Sequence, residues 1–305
     1  MRRLWQDLTD LVLPAECGGC GRPRTVLCPE CRAALSGAVP RRVRPATEPP
    51  GLPVVHAAAR YGDAVRAVLL AHKERGALSL AGPLGTALAG AVRAGLAETR
   101  ALTAPGAGVL LVPVPSARAV VRARGHDAAR RIALAAAGEL RRGGTPARVL
   151  AVLRQRRAVA DQSGLNSRQR LDNLAGALAV VPGGARLLSG GRVVLVDDLM
   201  TTGASLTEAA RAVRAATVRS RAETGPRPRA YGREAAANST GLDGVMPVYA
   251  GVAWESRREQ MAEVAEGSTD RAGAEPGMAG VNGGGEVIRA AVVAAMSDSF
   301  EMNRN

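Results

Sequence analysis

Aromatic residues are nearly missing from this sequence, and lysine occurs only once. Phe, Trp and Tyr make up 2% of the 305 residues, whereas hydrophobic residues as a whole make up 47%. A core of this composition must be built from Ala, Val and Leu, and it favours helices and buried strands. So few rings argue against a protein that stacks the bases of single-stranded nucleic acid. Lys73 is the single lysine among 41 basic residues, so the arginines reflect a general bias and assign no role by their number.

Long apolar runs are absent as well. No segment reaches the roughly 18 consecutive apolar residues of a membrane span. Asp10 and Pro14 interrupt the apolar stretch Leu8–Ala15, which lacks the profile of a signal peptide. The sequence therefore predicts a cytoplasmic protein without a membrane span. Its formal net charge of +14 would raise the local concentration of phosphates, nucleic acid or acidic lipids, unless it only solvates the surface.

The chain is organised as a cysteine-containing module at residues 1–36, a proline-rich linker at 37–53 and an α/β region at 54–305. Proline cannot sustain a helix or a central strand, so the linker is interpreted as a boundary between two units. In the α/β region apolar runs alternate with helical segments. The predicted strands are 54–61, 109–114, 148–153, 192–196 and 287–295, and the predicted helices lie in 63–98, 117–142 and 204–216. This alternation predicts a parallel sheet flanked by helices and joined by right-handed crossovers.

Residues 217–284 interrupt this pattern, because they mix Pro, Gly, Ser and charged residues with little periodicity. They fall in the connection between the last helix and the last strand, which usually spans about 2–6 residues. Such a composition offers few apolar side chains to offset the entropic cost of ordering the chain. We therefore expect a disordered insertion, with a functional lid as the alternative.

The four cysteines form two Cys-x-x-Cys pairs, and Gly18, Gly19 and Gly21 allow the backbone to turn tightly around them. Four thiolates close the tetrahedral shell of a structural zinc ion and leave no open position. Two disulfides and four unlinked thiols are the alternatives, and a cytoplasmic location argues against disulfides. The sequence thus predicts a zinc ribbon, with metal ligands Cys17, Cys20, Cys28 and Cys31.

The strongest local signal is the segment 193–205, with the sequence VVLVDDLMTTGAS. A buried strand is expected to end at Asp197 and Asp198, and a hydroxyl-rich turn then opens into a helix. At the carboxyl edge of a sheet this arrangement makes a ligand crevice. The N–H groups of the turn and of the helix N-terminus suit a phosphate. The two carboxylates would repel that phosphate unless they face sugar hydroxyls or a divalent cation. The alternative is a helix merely capped by Thr201 or Thr202.

This segment resembles the 5-phosphoribosyl pyrophosphate signature of type I phosphoribosyltransferases. Over residues 11–216 and 285–305, cysteine pairs included, the chain resembles the ComF branch, the competence-protein relatives of amidophosphoribosyltransferase. The resemblance implies a type I phosphoribosyltransferase fold in which Asp197 and Asp198 contact the ribose hydroxyls. It further implies a loop around the 5-phosphate, formed by Thr201, Thr202, Gly203, Ala204 and Ser205.

Weaker segments are similar to other parts of the family's site. The segment VPVPS at 112–116 resembles its pyrophosphate loop, and RARG at 122–125 resembles a ComF pattern; alone, each is equally a strand end or a solvated helix face. The segment 162–173 resembles the family's flexible hood, with Arg168 at the basic position, although by itself it is typical of a loop. The substrate-binding residues implied by the first two segments are Pro115, Ser116, Arg122 and Arg124.

The resemblance implies Mg²⁺-dependent transfer of a phosphoribosyl group to an unidentified acceptor, with release of pyrophosphate. Such a reaction needs a cation and basic groups to neutralise developing charge, and a lid to exclude water. The catalytic candidates are Asp197, Asp198 and Arg168, and His126 is the only histidine expected near them. One alternative is a non-catalytic sensor of phosphoribosyl pyrophosphate. A second alternative is an accessory protein of DNA uptake or processing, which would use the basic charge and the zinc ribbon. A third is a structural protein that docks to a partner through the ribbon.

Overall fold

A computed structural model describes residues 16–98, 108–157, 159, 166–224, 288–296 and 298–300. The chain separates into two units, one formed by Met1–Gly225 with Glu286–Asn305 and the other by Pro226–Gly285. The second unit lies outside the described residues, and so does most of the insertion expected at 217–284. Residues 217–224 are described, and they continue the helix that begins at Ala204.

The first unit is built on a six-stranded sheet. Its strands are β1 (Arg41–Val43), β2 (Val54–Arg60), β3 (Val109–Pro113), β4 (Ala147–Val149), β7 (Arg192–Met200) and β8 (Arg289–Ala295), and a separate two-stranded sheet is formed by β5 (Leu153–Gln155) and β6 (Leu178–Val180). The order across the larger sheet is β1-β2-β8-β7-β3-β4. Every neighbouring pair in it is parallel except β1 and β2. The prediction of an α/β protein with a mostly parallel sheet is confirmed.

Helices cover both faces of this sheet. They are α1 (Pro29–Ser36), α2 (Asp63–Lys73), α3 (Ala81–Ala97), α4 (Arg118–Arg124), α5 (Ala128–Arg142), α6 (Ser167–Leu174), α7 (Gly184–Leu188) and α8 (Ala204–Thr224). The first three and α5 share one apolar cluster, and α7 and α8 share a second one with the small sheet. Both clusters consist mainly of Ala, Val and Leu, as the composition requires. By length and composition alone Leu78–Ala97 could cross a membrane, but 56% of its apolar window is buried inside the protein.

Two predicted elements are divided in the structure. The helix expected over 117–142 is interrupted at Gly125, which adopts a left-handed conformation with φ 77°, and the second helix starts where Asp127 accepts a hydrogen bond from the N–H of Arg130. The strand expected over 148–153 becomes β4 and β5. The chain leaves the large sheet after the N–H of Leu150 bonds to Leu111, and Leu153 packs into the second cluster.

The cysteine module and the linker both pack onto the α/β region. Leu27 and Leu35 belong to the same buried cluster as α2 and α3. Gly18 lies so close to Leu80 that an added Cβ would stand 2.6 Å from its Cδ1 atom. In the linker, β1 pairs antiparallel with β2 at the edge of the sheet, the position where neighbouring prolines are tolerated.

Candidate functional site

Two loops meet at the carboxyl edge of the central strands, where parallel α/β sheets form their ligand crevices. Pro113 at the end of β3 is paired with Val196 of β7, and the N–H of Val114 still bonds to the carbonyl of Val196 at 2.9 Å. The chain after Val114 therefore leaves the sheet beside Asp197 and Asp198. The loop at 114–117 and the turn at 201–203 thus lie on the same edge.

The acidic pair lies within β7 rather than after it, which differs from the expectation. Pairing with β8 continues from Asp197 opposite Val292 to Met200 opposite Ala295. Apolar periodicity ends at Val196, but the backbone ladder does not, because the alanines of β8 continue alongside. The two carboxylates are consequently held by a rigid strand, and a site on such an element is positioned more precisely than one on a loop.

Asp198 forms an ion pair with Lys73, the last residue of α2. The Nζ–Oδ2 distance is 2.8 Å, and the Asp198 side chain is only 7% exposed. Burial alone would lower the pKa of Lys73, but the carboxylates of Asp198 and Asp197 outweigh it, and the pKa of Lys73 is raised. The ammonium therefore stays charged at neutral pH and neutralises the buried carboxylate. The sequence does not predict this contact; it shows only that Lys73 is the single lysine of the chain.

Asp197 occupies a different environment from its neighbour. Its Oδ1 accepts a hydrogen bond of 2.9 Å from the backbone N–H of Asp198. Burial raises the pKa of Asp197 well above the usual range, and the charge on Asp198 raises it further. The first of the two acids thus holds its proton more tightly than an exposed aspartate, and a positive charge bound nearby would favour its ionised form.

The turn at 201–203 depends on a glycine at its last position. Gly203 has φ 77°, and a Cβ placed there would stand 3.0 Å from the Cδ1 atom of Leu52. Among the described residues, neither Thr201 nor Thr202 accepts a hydrogen bond from the first N–H groups of α8, so the helix-cap alternative finds no support. These hydroxyls and the N–H groups at the start of α8 remain able to bind an anion.

The second loop is arranged around an ion pair and a histidine. Pro115 and Ser116 are half-buried, and Arg122 is exposed on α4. The Nε of Arg124 donates to Oε2 of Glu74 at 3.0 Å, which brings this loop next to Lys73. His126 is buried, with its Nε2 3.1 Å from the carbonyl of His72 and its Nδ1 3.2 Å from that of Arg124. His126 therefore holds the loop in place and does not face the crevice.

Arg170, and not Arg168, contacts the turn at 201–203. Both lie on α6, whose N-terminus is closed by a capping box between Asn166 and Gln169. Nη1 of Arg170 is 3.4 Å from Oγ1 of Thr201, whereas Arg168 is exposed. The Nε atom of Arg170 is buried and has no hydrogen-bond partner within the part of the chain that the structure describes. Residues 162–165 of the hood expected at 162–173 lie outside the described residues, and the rest of that segment forms the N-cap and most of α6.

Replacing Arg170 by Ala should weaken binding of a phosphate-bearing ligand by about tenfold or more, because one charge-assisted hydrogen bond is lost. Arg168→Ala removes the same charge two residues earlier and serves as the matched control. Titration calorimetry with phosphoribosyl pyrophosphate measures both affinities. A larger loss in the Arg168 variant would place the hood's basic position where the sequence predicted it.

The four cysteines come together as the spacing predicts. Their Sγ atoms all lie within 4.8 Å of one another, and Cys20 and Cys28 are 3.6 Å apart. None of them forms a disulfide. Zinc about 2.3 Å from each thiolate places tetrahedral sulfurs about 3.8 Å apart, so this donor set fits the ion. The prediction of clustered cysteines able to hold a metal is confirmed.

Backbone N–H groups donate hydrogen bonds to two of the four sulfurs. The N–H of Cys28 donates to Sγ of Cys17, and the N–H of Cys31 donates to Sγ of Cys28. Burial would raise the pKa of Cys17, but backbone N–H groups outweigh it and lower the pKa to about 6. A Cβ on Gly19 would stand 2.6 Å from Sγ of Cys31, so the turn needs glycine there. Among residues 16–36 the only β-pairing is the bridge between Glu16 and Pro23, and the second cysteine pair opens helix α1.

No protein-family model and no curated protein matches this chain.

Proposed function

We propose that this protein binds 5-phosphoribosyl pyrophosphate and transfers its phosphoribosyl group to an acceptor, with release of pyrophosphate. The observation that carries the proposal is the strand β7, in which an acidic pair is followed by a Thr-Thr-Gly turn and the N-terminus of α8. A ligand with a vicinal diol and a terminal phosphate matches this sequence of groups. The resemblance to the ComF branch of type I phosphoribosyltransferases supports the same function.

In this proposal, different residues of the site bind the phosphate, the ribose and the pyrophosphate of the ligand. The turn at 201–205 binds the 5-phosphate through backbone N–H groups and hydroxyls, with Arg170 beside Thr201. Asp197 and Asp198 accept hydrogen bonds from the ribose hydroxyls. The loop that begins at Pro115 is proposed to receive the pyrophosphate attached to C1. Charge that develops on this group is stabilised by cations held in fixed positions.

Mg²⁺ is proposed to accompany the pyrophosphate. Carboxylate oxygens are the protein ligands that Mg²⁺ prefers, and it usually binds through one or two of them together with substrate phosphates. Asp197 and Asp198 both lie at this edge, and their carboxylate oxygens fit such a role. When bound, the metal would supply charge neutralisation for the departing pyrophosphate.

The cysteine cluster is proposed to hold a structural zinc ion as the core of an N-terminal zinc module. Four thiol ligands leave no coordination position for a substrate, so the site stabilises the fold and performs no catalysis. Its packing against Leu80 and α2 ties the module to the domain that carries the crevice.

A non-catalytic sensor of the same ligand is the second candidate. The observation that favours it is the orientation of His126, whose two ring nitrogens face carbonyl oxygens rather than the crevice. This histidine is thereby removed as a general base for an acceptor. Nucleic acid and the DNA-uptake machinery stay predictions from charge and resemblance.

Asp198→Asn is the direct test of the site. Loss of one charge-assisted hydrogen bond should cost about 1.5–3 kcal/mol, or about one to two decades in affinity for phosphoribosyl pyrophosphate. Asp63→Asn on the exposed start of α2 is the control, because asparagine tolerates the positive φ found there. Calorimetric titration measures binding, and pyrophosphate release with purine, pyrimidine and amine acceptors measures turnover. Equal affinity in both variants would refute the proposed function, whereas binding without turnover would favour the sensor.

A further inference from the structure

Lys73 combines three properties that no other basic residue of the chain shares. It is the only lysine among the 41 basic residues, it ends the helix α2, and its ammonium lies 2.8 Å from a buried carboxylate of the crevice. Its side chain is 33% exposed, against 7% for Asp198, so a solute can reach the ammonium more easily than the carboxylate. The ammonium also interacts favourably with the C-terminal end of α2.

The surrounding charges define what this ammonium does in the free protein. Asp198 contacts it from β7, and Asp197 adds a second negative charge nearby. Glu74 follows it in the chain, and Arg124 on α4 is already paired with Glu74. Among the described residues near the acidic pair, Lys73 is therefore the cation that neutralises it. A buried carboxylate without such a partner would pay a large desolvation penalty.

A divalent cation at the acidic pair would compete with this ammonium for the same oxygen. A bare Mg²⁺ ion would have to displace Lys73 from Asp198 and would leave a half-buried ammonium without a partner. A Mg²⁺ ion that arrives with a diphosphate brings the missing negative charge along. The ammonium can then pair with a phosphate oxygen while the metal takes over the carboxylate.

We propose that Lys73 is an internal counter-cation that excludes free Mg²⁺ from the acidic pair and admits it only together with an anionic diphosphate ligand. This inference rests on the proposed function for the identity of the ligand, but not for the exclusion of the bare metal. It makes Lys73 a ligand-binding residue of the site, in addition to those predicted from the sequence.

Lysine suits this exchange better than arginine would. A guanidinium is a planar fork that binds a carboxylate in a fixed bidentate geometry, whereas an ammonium is a compact charge on a flexible stem. Such a stem can rotate from a carboxylate to a phosphate a few ångströms away. In a sequence whose other basic residues are all arginine, a single retained lysine at this position is consistent with that requirement.

The first test measures the metal alone. Mn²⁺ is titrated into the full chain by electron paramagnetic resonance, without any phosphate ligand, for the wild type, Lys73→Met and Arg66→Met. Arg66 is an exposed residue of the same helix, so its variant loses the same charge away from the crevice. Lys73→Met should bind Mn²⁺ about tenfold more tightly than Arg66→Met, because a positive charge near the metal position is gone. The four cysteines are unchanged, so any binding to the thiols is common to all three proteins.

The second test uses the wild type and is independent of how Lys73→Met folds. Acetylation of the Lys73 amine is followed by peptide mass spectrometry, which has no other lysine to resolve. Mg²⁺ alone should leave the rate unchanged. Mg²⁺ with phosphoribosyl pyrophosphate at about ten times its Kd should slow acetylation about tenfold, because about one protein in eleven stays free.

The outcomes separate the inference from the proposed function. Equal Mn²⁺ affinities in Lys73→Met and Arg66→Met, or faster acetylation with Mg²⁺ alone, overturn the exclusion of the bare metal even if the wild type binds phosphoribosyl pyrophosphate. A wild type that does not bind phosphoribosyl pyrophosphate, with the Mn²⁺ difference intact, refutes the proposed function and supports the exclusion.

Discussion

Cys28→Ser should abolish the proposed zinc binding and lower the melting temperature of the whole first unit. Cys28 is fully buried, accepts a hydrogen bond from the N–H of Cys31 and caps the N-terminus of α1. The sulfur cluster belongs to the same buried core as α2 and α3, so its loss is not confined to the module. This coupling is stronger than the sequence suggested, since the linker was interpreted as a boundary.

The expected magnitude follows from the affinity of structural zinc sites. Zinc contributes about 10–16 kcal/mol to the folding of small four-ligand modules. If about 4 kcal/mol of this reaches the larger unit, its melting temperature falls by about 8–16 °C. Elemental analysis and thermal unfolding followed by circular dichroism measure both effects. Ser36→Ala, an exposed change on α1, is the control. Loss of the metal without a change in melting temperature would show that the module unfolds independently.

Gly203→Val should reduce affinity for phosphoribosyl pyrophosphate by about two decades or more, since αL backbone strain and a steric overlap act together. Gly203 has φ 77°, and its added Cβ would already crowd Leu52 at 3.0 Å. A valine would move the turn away from the conformation in which its N–H groups surround a phosphate. The fold should persist, because the turn lies at the edge of the sheet.

A matched variant separates backbone strain from loss of the phosphate site. Gly144 also has φ 77°, lies in open space and precedes β4 at the opposite edge of the sheet. Gly144→Val should cost comparable stability in urea unfolding and leave the ligand affinity unchanged. If both variants bind equally well, the turn at 201–203 has no role in binding.

Local sequence was sufficient for the elements with continuous apolar runs. The segments 109–114 and 192–196 were predicted as buried strands, and the cysteine spacing predicted the cluster of thiols. The end of β7 could not be predicted, because its ladder from Asp197 to Met200 depends on the alanines of β8 far along the chain. The hydrophobic periodicity of β7 does not show which distant strand will pair with it.

The contacts around the acidic pair cannot be predicted from local sequence either, because they join residues that are far apart in the chain. Lys73 and Asp198 are joined only when α2 packs beside β7, and no local spacing relates the two residues. The small sheet of β5 and β6 is not predicted because each strand is only three residues long, which is too short to show a period-two pattern. Arg170 instead of Arg168 contacts Thr201 because of the direction in which α6 presents its side chains, and the resemblance could not specify that direction.

The position of β8 has a consequence for how this protein is made. β8 is inserted between β2 and β7, yet it is synthesised after both of them and after residues 201–288. On the ribosome, the strand that carries Asp197 and Asp198 waits with one open edge until residues 289–295 emerge. Pairings of such long sequence separation form slowly, and an open strand edge attracts other chains meanwhile. Nascent chains truncated before residue 289 should therefore be the aggregation-prone species, and the crevice can become functional only after residues 289–295 have emerged.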